Sequence, residues 1–131
     1  MNGTLDDALE QTKLQEERKT HSDCLLHACR VIIGTAAQLR VSQIAFLLLI
    51  DLRPGITSRQ AADYLDVSES ATSRNIDIFS DIPNKANEGR MLGFVTEKKD
   101  KDDRRLRRVW LTAKGRTFIE TIHRINHGSM V

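Results

Sequence analysis

The fold is decided by residues 57–80, which read TSRQAADYLDVSESATSRNIDIFS. Thr57 is followed three residues later by Gln60, which is the spacing of a capping box, so a helix is predicted to begin after Thr57. Residues 66–67 form a tight turn, and Ser68 then caps a second short helix that ends near residue 80. Two short helices joined by a turn of three or four residues are the helix–turn–helix arrangement.

The sequence before this stretch predicts two further helices. Residues 4–39 are compatible with one long helix, because they contain no Pro and a single Gly. Its first half is polar, whereas its second half carries an apolar stripe with spacings of mostly three and four residues, formed by Cys24, Leu25, Ala28, Val31, Ile32, Thr35 and Leu39. We expect so long and one-sided a helix to pack on another subunit. Ser42 is predicted to cap a short, strongly apolar helix over residues 43–52, which should lie at the centre of the core.

The sequence after residue 80 predicts a β-hairpin followed by a last helix. The helical spacing of apolar residues is lost over residues 81–90. Residues 91–96 and 106–111 then have the composition of two strands joined through a charged turn. Thr112 is predicted to cap a helix that runs to about Asn126. The expected fold class is therefore mainly α, with a small β-hairpin wing that follows the helix–turn–helix.

The charge of the chain is concentrated in this hairpin. The net charge of the whole sequence is only +2, but residues 90–116 hold ten Lys or Arg against four acidic residues, whereas the rest of the chain carries a net −4. One basic segment on an otherwise acidic chain is the electrostatic pattern of a protein that binds a polyanion. A solvated charged hairpin explains the charge alone equally well.

The candidate DNA contacts lie on the second helix of the motif and on the hairpin. In a helix–turn–helix the first turns of the second helix face base edges in the major groove. Small hydroxyl side chains let its backbone approach phosphates. Ala71 and Thr72 are candidates for contact with a thymine methyl, and Arg74 is a candidate for contact with guanine or phosphate; an ordinary capped surface helix is the alternative. On the hairpin, Asp103 is expected to pair with Arg105 and to orient Arg104. The candidate residues are Ser68, Ser70, Thr72, Ser73, Arg74 and Asn75 on the helix, and Lys98, Lys99, Lys101, Asp103, Arg104 and Arg105 on the hairpin.

Two of these segments resemble a known family. Asp103-Arg104-Arg105, Val109 and Leu111-Thr112-x-x-Gly115, together with Ser73-Arg74-Asn75-Ile76, resemble the MarR-type winged helix–turn–helix transcriptional regulators. The resemblance covers about residues 42–121. It departs from the family pattern in a longer link after Phe79, where Asn84, Lys85 and Asn87 are candidates for contact with DNA or protein, and in ending at Val131, where family members continue with more helix.

The resemblance implies a sequence-specific regulator of transcription, usually a repressor, that binds a pseudo-palindromic site in double-stranded DNA as a homodimer. It also implies a helical dimerisation region in which the first and last helices of both chains interlace. We accordingly expect one domain over residues 1–131, made of an N-terminal dimerisation helix (1–40), a winged core (42–112) and a C-terminal helix (113–131).

Other functions stay open or are disfavoured. A replication or recombination factor of a mobile element, and a winged helix used for protein–protein contact, are the alternative functions. Family members often sense phenolic ligands, so a small-molecule effector is an option that one Trp, one Tyr and four Phe neither support nor exclude. No apolar run reaches the roughly 20 residues of a membrane span, and the first residues lack a signal-peptide core, so we expect a cytoplasmic protein.

Enzymatic, metal and disulfide chemistry are not expected. The sequence has no Gly-rich phosphate loop, nucleophile elbow or paired carboxylates, so it predicts neither an enzyme nor a cofactor. His123 and His127 have a spacing that can bind a metal, but no acidic or Cys companion is near. Cys24 and Cys29 would point about 140° apart on one helix, which argues against a disulfide between them. Buried structural thiols are the expectation, and thiol sensing is the alternative.

Overall fold

The computed structural model describes residues 2–123, and these form two compact units. One unit is made of residues 38–120, and the other contains the first helix with the end of the last one. In chain order the elements are α1 (Asn2–Ala36), α2 (Val41–Leu52), β1 (Ile56–Thr57), α3 (Ser58–Leu65), α4 (Glu69–Phe79), β2 (Val95–Lys99), β3 (Arg107–Leu111) and α5 (Ala113–His123). The predicted mainly α fold with a β-hairpin wing is confirmed. That both units make one domain stays a prediction.

The hairpin belongs to a small antiparallel sheet with the strand order β1-β3-β2. In the central strand β3, Val109 lies opposite both Ile56 of β1 and Glu97 of β2. Val109 and Leu111 are buried, because alternate residues of a strand face the same side of the sheet. The sheet thereby ties the hairpin to the segment that leads into α3.

The core of the unit formed by residues 38–120 is built around α2, as predicted. Four residues of this helix are buried, and a continuous row of stacked rings begins with its Phe46. Ring centroids lie 6.5 Å apart between Phe46 and Phe79, 6.3 Å between Phe79 and Phe94, and 4.7 Å between Phe94 and Phe118. Since the four rings come from α2, α4, the segment before β2, and α5, this row joins the helix–turn–helix to the wing.

The predicted helix caps of the motif are confirmed by hydrogen bonds. The Gln60 N–H donates to Thr57 Oγ1 and the Thr57 N–H donates to Gln60 Oε1, each at 3.1 Å, which completes the capping box. The Ala71 N–H donates to Ser68 Oγ at 3.0 Å at the start of α4. These contacts span three residues and depend on little else, which is why the sequence predicts them.

The predicted starts of α2 and β2 are wrong. Helix α2 begins at Val41 rather than after Ser42, because the Arg40 N–H donates to Gln43 Oε1 at 2.8 Å and makes Arg40 the cap residue. Strand β2 begins at Val95 rather than at residue 91. Gly93 has a φ of +68°, which takes the chain out of the extended conformation just before the strand.

The irregular link between α4 and β2 is ordered by two asparagine side chains. Asn87 is 2% exposed, and its amide donates to the carbonyls of Ser80 and Ile82 at 3.3 and 3.0 Å. The Asn84 N–H donates to Asn87 Oδ1 at 2.9 Å, and Asn84 Oδ1 in turn accepts from the Asn87 N–H. The expectation that Asn87 contacts DNA or a partner is therefore wrong, because its side chain is buried and hydrogen-bonded within the loop. Lys85 is exposed.

The unit that contains α1 has a partly apolar exposed surface. The His27 Nε2–H donates to the carbonyl oxygen of Thr121 at 3.0 Å.

Cys24 and Cys29 form no disulfide. Cys29 is exposed and Cys24 is half-buried, so the expectation of two buried thiols is wrong; two positions 140° apart on one helix do not share a buried face. Residues Arg124 to Val131, which include His127 and the predicted helix end at Asn126, lie outside the described residues.

No single helix within residues 2–123 is long and apolar enough to span a membrane; α1 and α2 qualify only as a bent pair, on length and composition.

Candidate nucleic-acid interface

The first turns of α4 present a small polar surface. Thr72, Ile76 and Phe79 are buried, and their spacing fixes the face of the helix that packs on the core. Ser70, Ala71 and Arg74 are exposed on other faces. Ser68, exposed as well, is used as the cap. The outward face of α4 is thus centred on Ser70 and Arg74.

Thr72 is not part of this surface, which corrects the sequence prediction. Its side chain is 1% exposed, and its hydroxyl donates to the Ser68 carbonyl at 3.2 Å. Thr72 lies four residues before Ile76, so the two share the core face of the helix. Ala71, named above as a candidate for contact with a thymine methyl, is exposed. Ser73 and Asn75 are half-buried at the two sides of the outward face.

The turn of the wing is built around the carboxylate of Asp100. This side chain accepts hydrogen bonds from the N–H groups of Asp102 and Asp103, both at 3.1 Å, and from Arg108 Nε at 2.6 Å. Arg108 also donates to the Gly55 carbonyl at 3.0 Å, which ties the turn to the segment before β1. The hydrogen bond from Arg108, followed by those from the backbone, holds the pKa of Asp100 below its ordinary value.

The predicted pairing of Asp103 with Arg105 is confirmed. Asp103 Oδ1 accepts from the Arg105 N–H at 3.0 Å and from Arg105 Nε at 3.2 Å, while Oδ2 accepts from Nη2 at 3.3 Å. The side-chain hydrogen bond from Arg105 lowers the pKa of Asp103. Four other cations of the wing are exposed, namely Lys98, Lys99, Lys101 and Arg104.

Arg107, which the sequence did not single out, joins the wing to α4. From β3 its guanidinium donates to the Ser73 carbonyl at 3.1 Å, to Asp77 Oδ1 at 2.6 Å and to Glu97 Oε1 at 2.6 Å, with a further hydrogen bond from Nε to Glu97 Oε2. Glu97, and then Asp77, raise the pKa of Arg107. The sequence contains a partial signal for this role, because Arg107 is a cation and Glu97 an anion on the two arms of the predicted hairpin. The sequence does not indicate that Arg107 also contacts α4.

A groove of about 630 Å³ lies between α4 and the wing. Its lining includes Asp77 of α4 and the wing residues Glu97, Lys98, Lys99, Arg104, Arg105 and Arg107. Arg107 pairs with both carboxylates of the groove, so the charge left to act on a ligand is positive. Such a lining suits phosphate groups. Among residues 2–123, no group of three His, Cys, Asp or Glu side chains is placed to hold a metal ion.

Comparison with known proteins gives matches among solved structures. No protein-family model and no curated protein matches the sequence. A transcriptional regulator from Thermotoga maritima superposes with a TM-score of 0.64 at 18% identity, over 89% of this chain and 75% of that one. A MarR transcriptional regulator from Methanosarcina mazei Go1 gives 0.57 at 22% identity, over 89% and 76%.

A third solved structure contains nucleic acid. FabT from Streptococcus pneumoniae, in complex with DNA, gives a TM-score of 0.56 at 17% identity, over 93% of this chain and 78% of that one. The helix–turn–helix and the wing are thus elements that this chain shares with these solved structures. The chain has the MarR-type winged-helix fold.

Proposed function

We propose that this chain is a sequence-specific regulator of transcription that binds double-stranded DNA. The observation that carries the proposal is that Arg107 fixes the basic wing beside the outward face of α4, in one compact unit. A helix and a cationic hairpin held side by side can occupy the major groove and the adjacent backbone at the same time. The fold shared with FabT, whose structure contains DNA, supports the same function.

The residues divide by the kind of contact that their exposure allows. Ser70, Ala71 and Arg74 form the base-reading surface, with Ser73 and Asn75 at its margins. The wing cations Lys98, Lys99, Lys101, Arg104 and Arg105 contact phosphates. Asp103 positions Arg105 rather than touching DNA.

The salt dependence of DNA binding tests this function. Each phosphate contact contributes about 0.9 to the slope of log affinity against log salt. Substitution of both Arg104 and Arg105 with Ala should therefore weaken binding to a 30-base-pair duplex of unselected sequence and reduce this slope by about 1.8. Unchanged affinity and slope would remove the wing from the interface.

The matched control is substitution of Arg18 and Lys19 with Ala. This substitution also removes two cations, so the change in net charge is the same. The two residues are adjacent and exposed on α1, outside the unit that contains the wing. We expect their loss to leave the slope at its unsubstituted value. If the unsubstituted protein shows no salt-sensitive retardation of DNA at low ionic strength, a protein–protein contact module is the better description.

The proposal includes a homodimer that binds a pseudo-palindrome and represses transcription. Helix α1 supports the dimer, because its large aliphatic side chains at Leu5, Leu9, Leu14, Leu25, Leu26 and Ile33 are each more than half exposed. Light scattering after size exclusion should give twice the chain mass, and selected sites should contain half-sites about 34–36 Å apart. A recovered site over a promoter supports repression, whereas a site within a replication origin would favour a replication factor.

A further inference from the structure

A second basic groove flanks α4 on the side away from the wing. It encloses about 310 Å³, and Arg40 and Gln43 line it from the start of α2 while Ala71, Arg74, Asn75 and Ile78 line it from α4. The Gln43 amide donates to Asn75 Oδ1 at 3.5 Å and connects the two helices. No sequence motif pointed to Arg40.

The two arginines of this groove have no acidic partner within the part of the chain that the structure describes. No carboxylate lines the groove. Across residues 2–123, the ion pairs formed by arginine involve neither Arg40 nor Arg74. The wing groove differs, because there Glu97 and Asp77 are present and Arg107 pairs with both. Two unopposed guanidinium groups beside one cleft favour an oxyanion.

The position of the groove around α4 indicates which oxyanion. Taking about 100° per residue, the core face of Thr72, Ile76 and Phe79 sets the outward direction between Ser70 and Arg74. On that scale the residues on the wing side, Ser73 and Asp77, lie on average roughly 70° to one side of the outward direction. The α4 residues of the second groove, Ala71, Asn75 and Ile78, lie on average roughly 80° to the other side. Basic grooves therefore flank both sides of the helix.

We infer that the groove lined by Arg40 and Arg74 binds a backbone phosphate of the DNA strand opposite to the one that the wing contacts. A helix in the major groove lies between two phosphate backbones, about 12 Å apart across the groove, and here each side of α4 has its own cationic cleft. This inference rests on the proposed DNA-binding function and adds Arg40 to the interface. In this arrangement Arg74 contacts a phosphate as well as a base edge.

The test is Arg40→Ala in the full chain, titrated with the same unselected duplex. We expect weaker binding and a slope smaller by about 0.9, so that the ratio of the two affinities, unsubstituted over Arg40→Ala, falls about 3.5-fold between 50 and 200 mM salt. Arg40→Glu should weaken binding further. At the start of α2 the backbone of Arg40 makes the hydrogen bonds: its N–H donates to Gln43 Oε1, and its carbonyl accepts from the N–H groups of Gln43 and Ile44. Arg40→Ala keeps this backbone, so circular dichroism and the urea midpoint should be unchanged.

The matched control is Arg18→Ala, which removes one exposed arginine of α1 and should bind DNA with the unsubstituted slope. The sequence selected from a random pool should be the same with and without Arg40, because phosphate contacts carry no base information. A changed selected sequence would overturn the assignment to a phosphate. If substitution of Arg104 and Arg105 weakens binding but Arg40→Ala does not, the inference fails while the DNA-binding function stands. If the unsubstituted protein does not bind, both fail.

Discussion

Arg107→Ala should destabilise the unit of residues 38–120 by removing the link between α4 and the wing. The Arg107 side chain is 20% exposed and donates to Glu97, Asp77 and the Ser73 carbonyl. After substitution, the two carboxylates, 30% and 42% exposed, would face the same space without a cation between them. The cost is therefore the loss of charge-assisted hydrogen bonds together with repulsion between like charges.

The magnitude follows from the burial of the group. Breaking a fully buried ion pair costs about 3–5 kcal/mol, whereas an exposed pair contributes about 0–1 kcal/mol. Arg107 lies between these limits, so we expect the free energy of unfolding to fall by about 2 kcal/mol, which is roughly 30-fold in the unfolding constant. With a urea m-value of about 1–2 kcal/mol/M, the midpoint should fall by about 1–2 M.

The fluorescence of Trp110 provides the assay, because it is the single Trp of the sequence and lies in β3. Arg105→Ala is the matched control: it removes the same charge from the same hairpin, but its side chain is 86% exposed, so the urea midpoint should not change. Equal midpoints for the Arg107 and Arg105 variants, whether both shift or neither does, would refute the role of Arg107 as the link. Arg107→Lys should recover part of the loss, since an ammonium keeps the charge but not the forked geometry.

Two further predictions concern the wing and the helix behind it. A Cβ at Gly115 would lie 2.2 Å from the Phe94 carbonyl oxygen, so Gly115→Ala should lower the free energy of unfolding by at least about 1–3 kcal/mol. The control is Gly34→Ala, whose added Cβ meets nothing within 4 Å and which should not lower it. Equal urea midpoints for the two variants would contradict the close packing at Gly115. The pKa of Asp100 is lower in the folded chain than its ordinary value of 3.8, so its stabilisation is present above that pH and lost as the pH falls through the lowered pKa. Asp100→Asn should thus reduce the urea midpoint at pH 7 and have progressively less effect below about pH 4; a difference that stays constant down to pH 2 would exclude this carboxylate as the cause.

The predictions that succeeded concern interactions between residues close in the chain. The Thr57–Gln60 capping box, the Ser68 cap and the Asp103–Arg105 pair each join residues two or three positions apart. Backbone geometry alone brings such groups together. The order of elements followed from these signals and from apolar periodicity.

The predictions that failed depended on which way an element faces. Thr72 is predicted from the sequence to contact a thymine methyl, yet it shares the core face with Ile76. The spacing of four residues was visible in the sequence, but the rotation of α4 is fixed by its packing against the core. Asn87 failed for a related reason, since the carbonyls that use its amide are brought together by the path of the loop.

The sequence by itself determined the helix–turn–helix, its caps, the basic hairpin and the resemblance to the MarR-type fold. Those features are local or periodic, so they need no knowledge of distant contacts. Only the tertiary structure placed Arg107 against Asp77, 30 residues away, and Arg40 beside Arg74. Both arrangements arise where separate elements pack together. The physical reason is that the charge which remains available to a ligand depends on which acidic groups the fold has brought within reach.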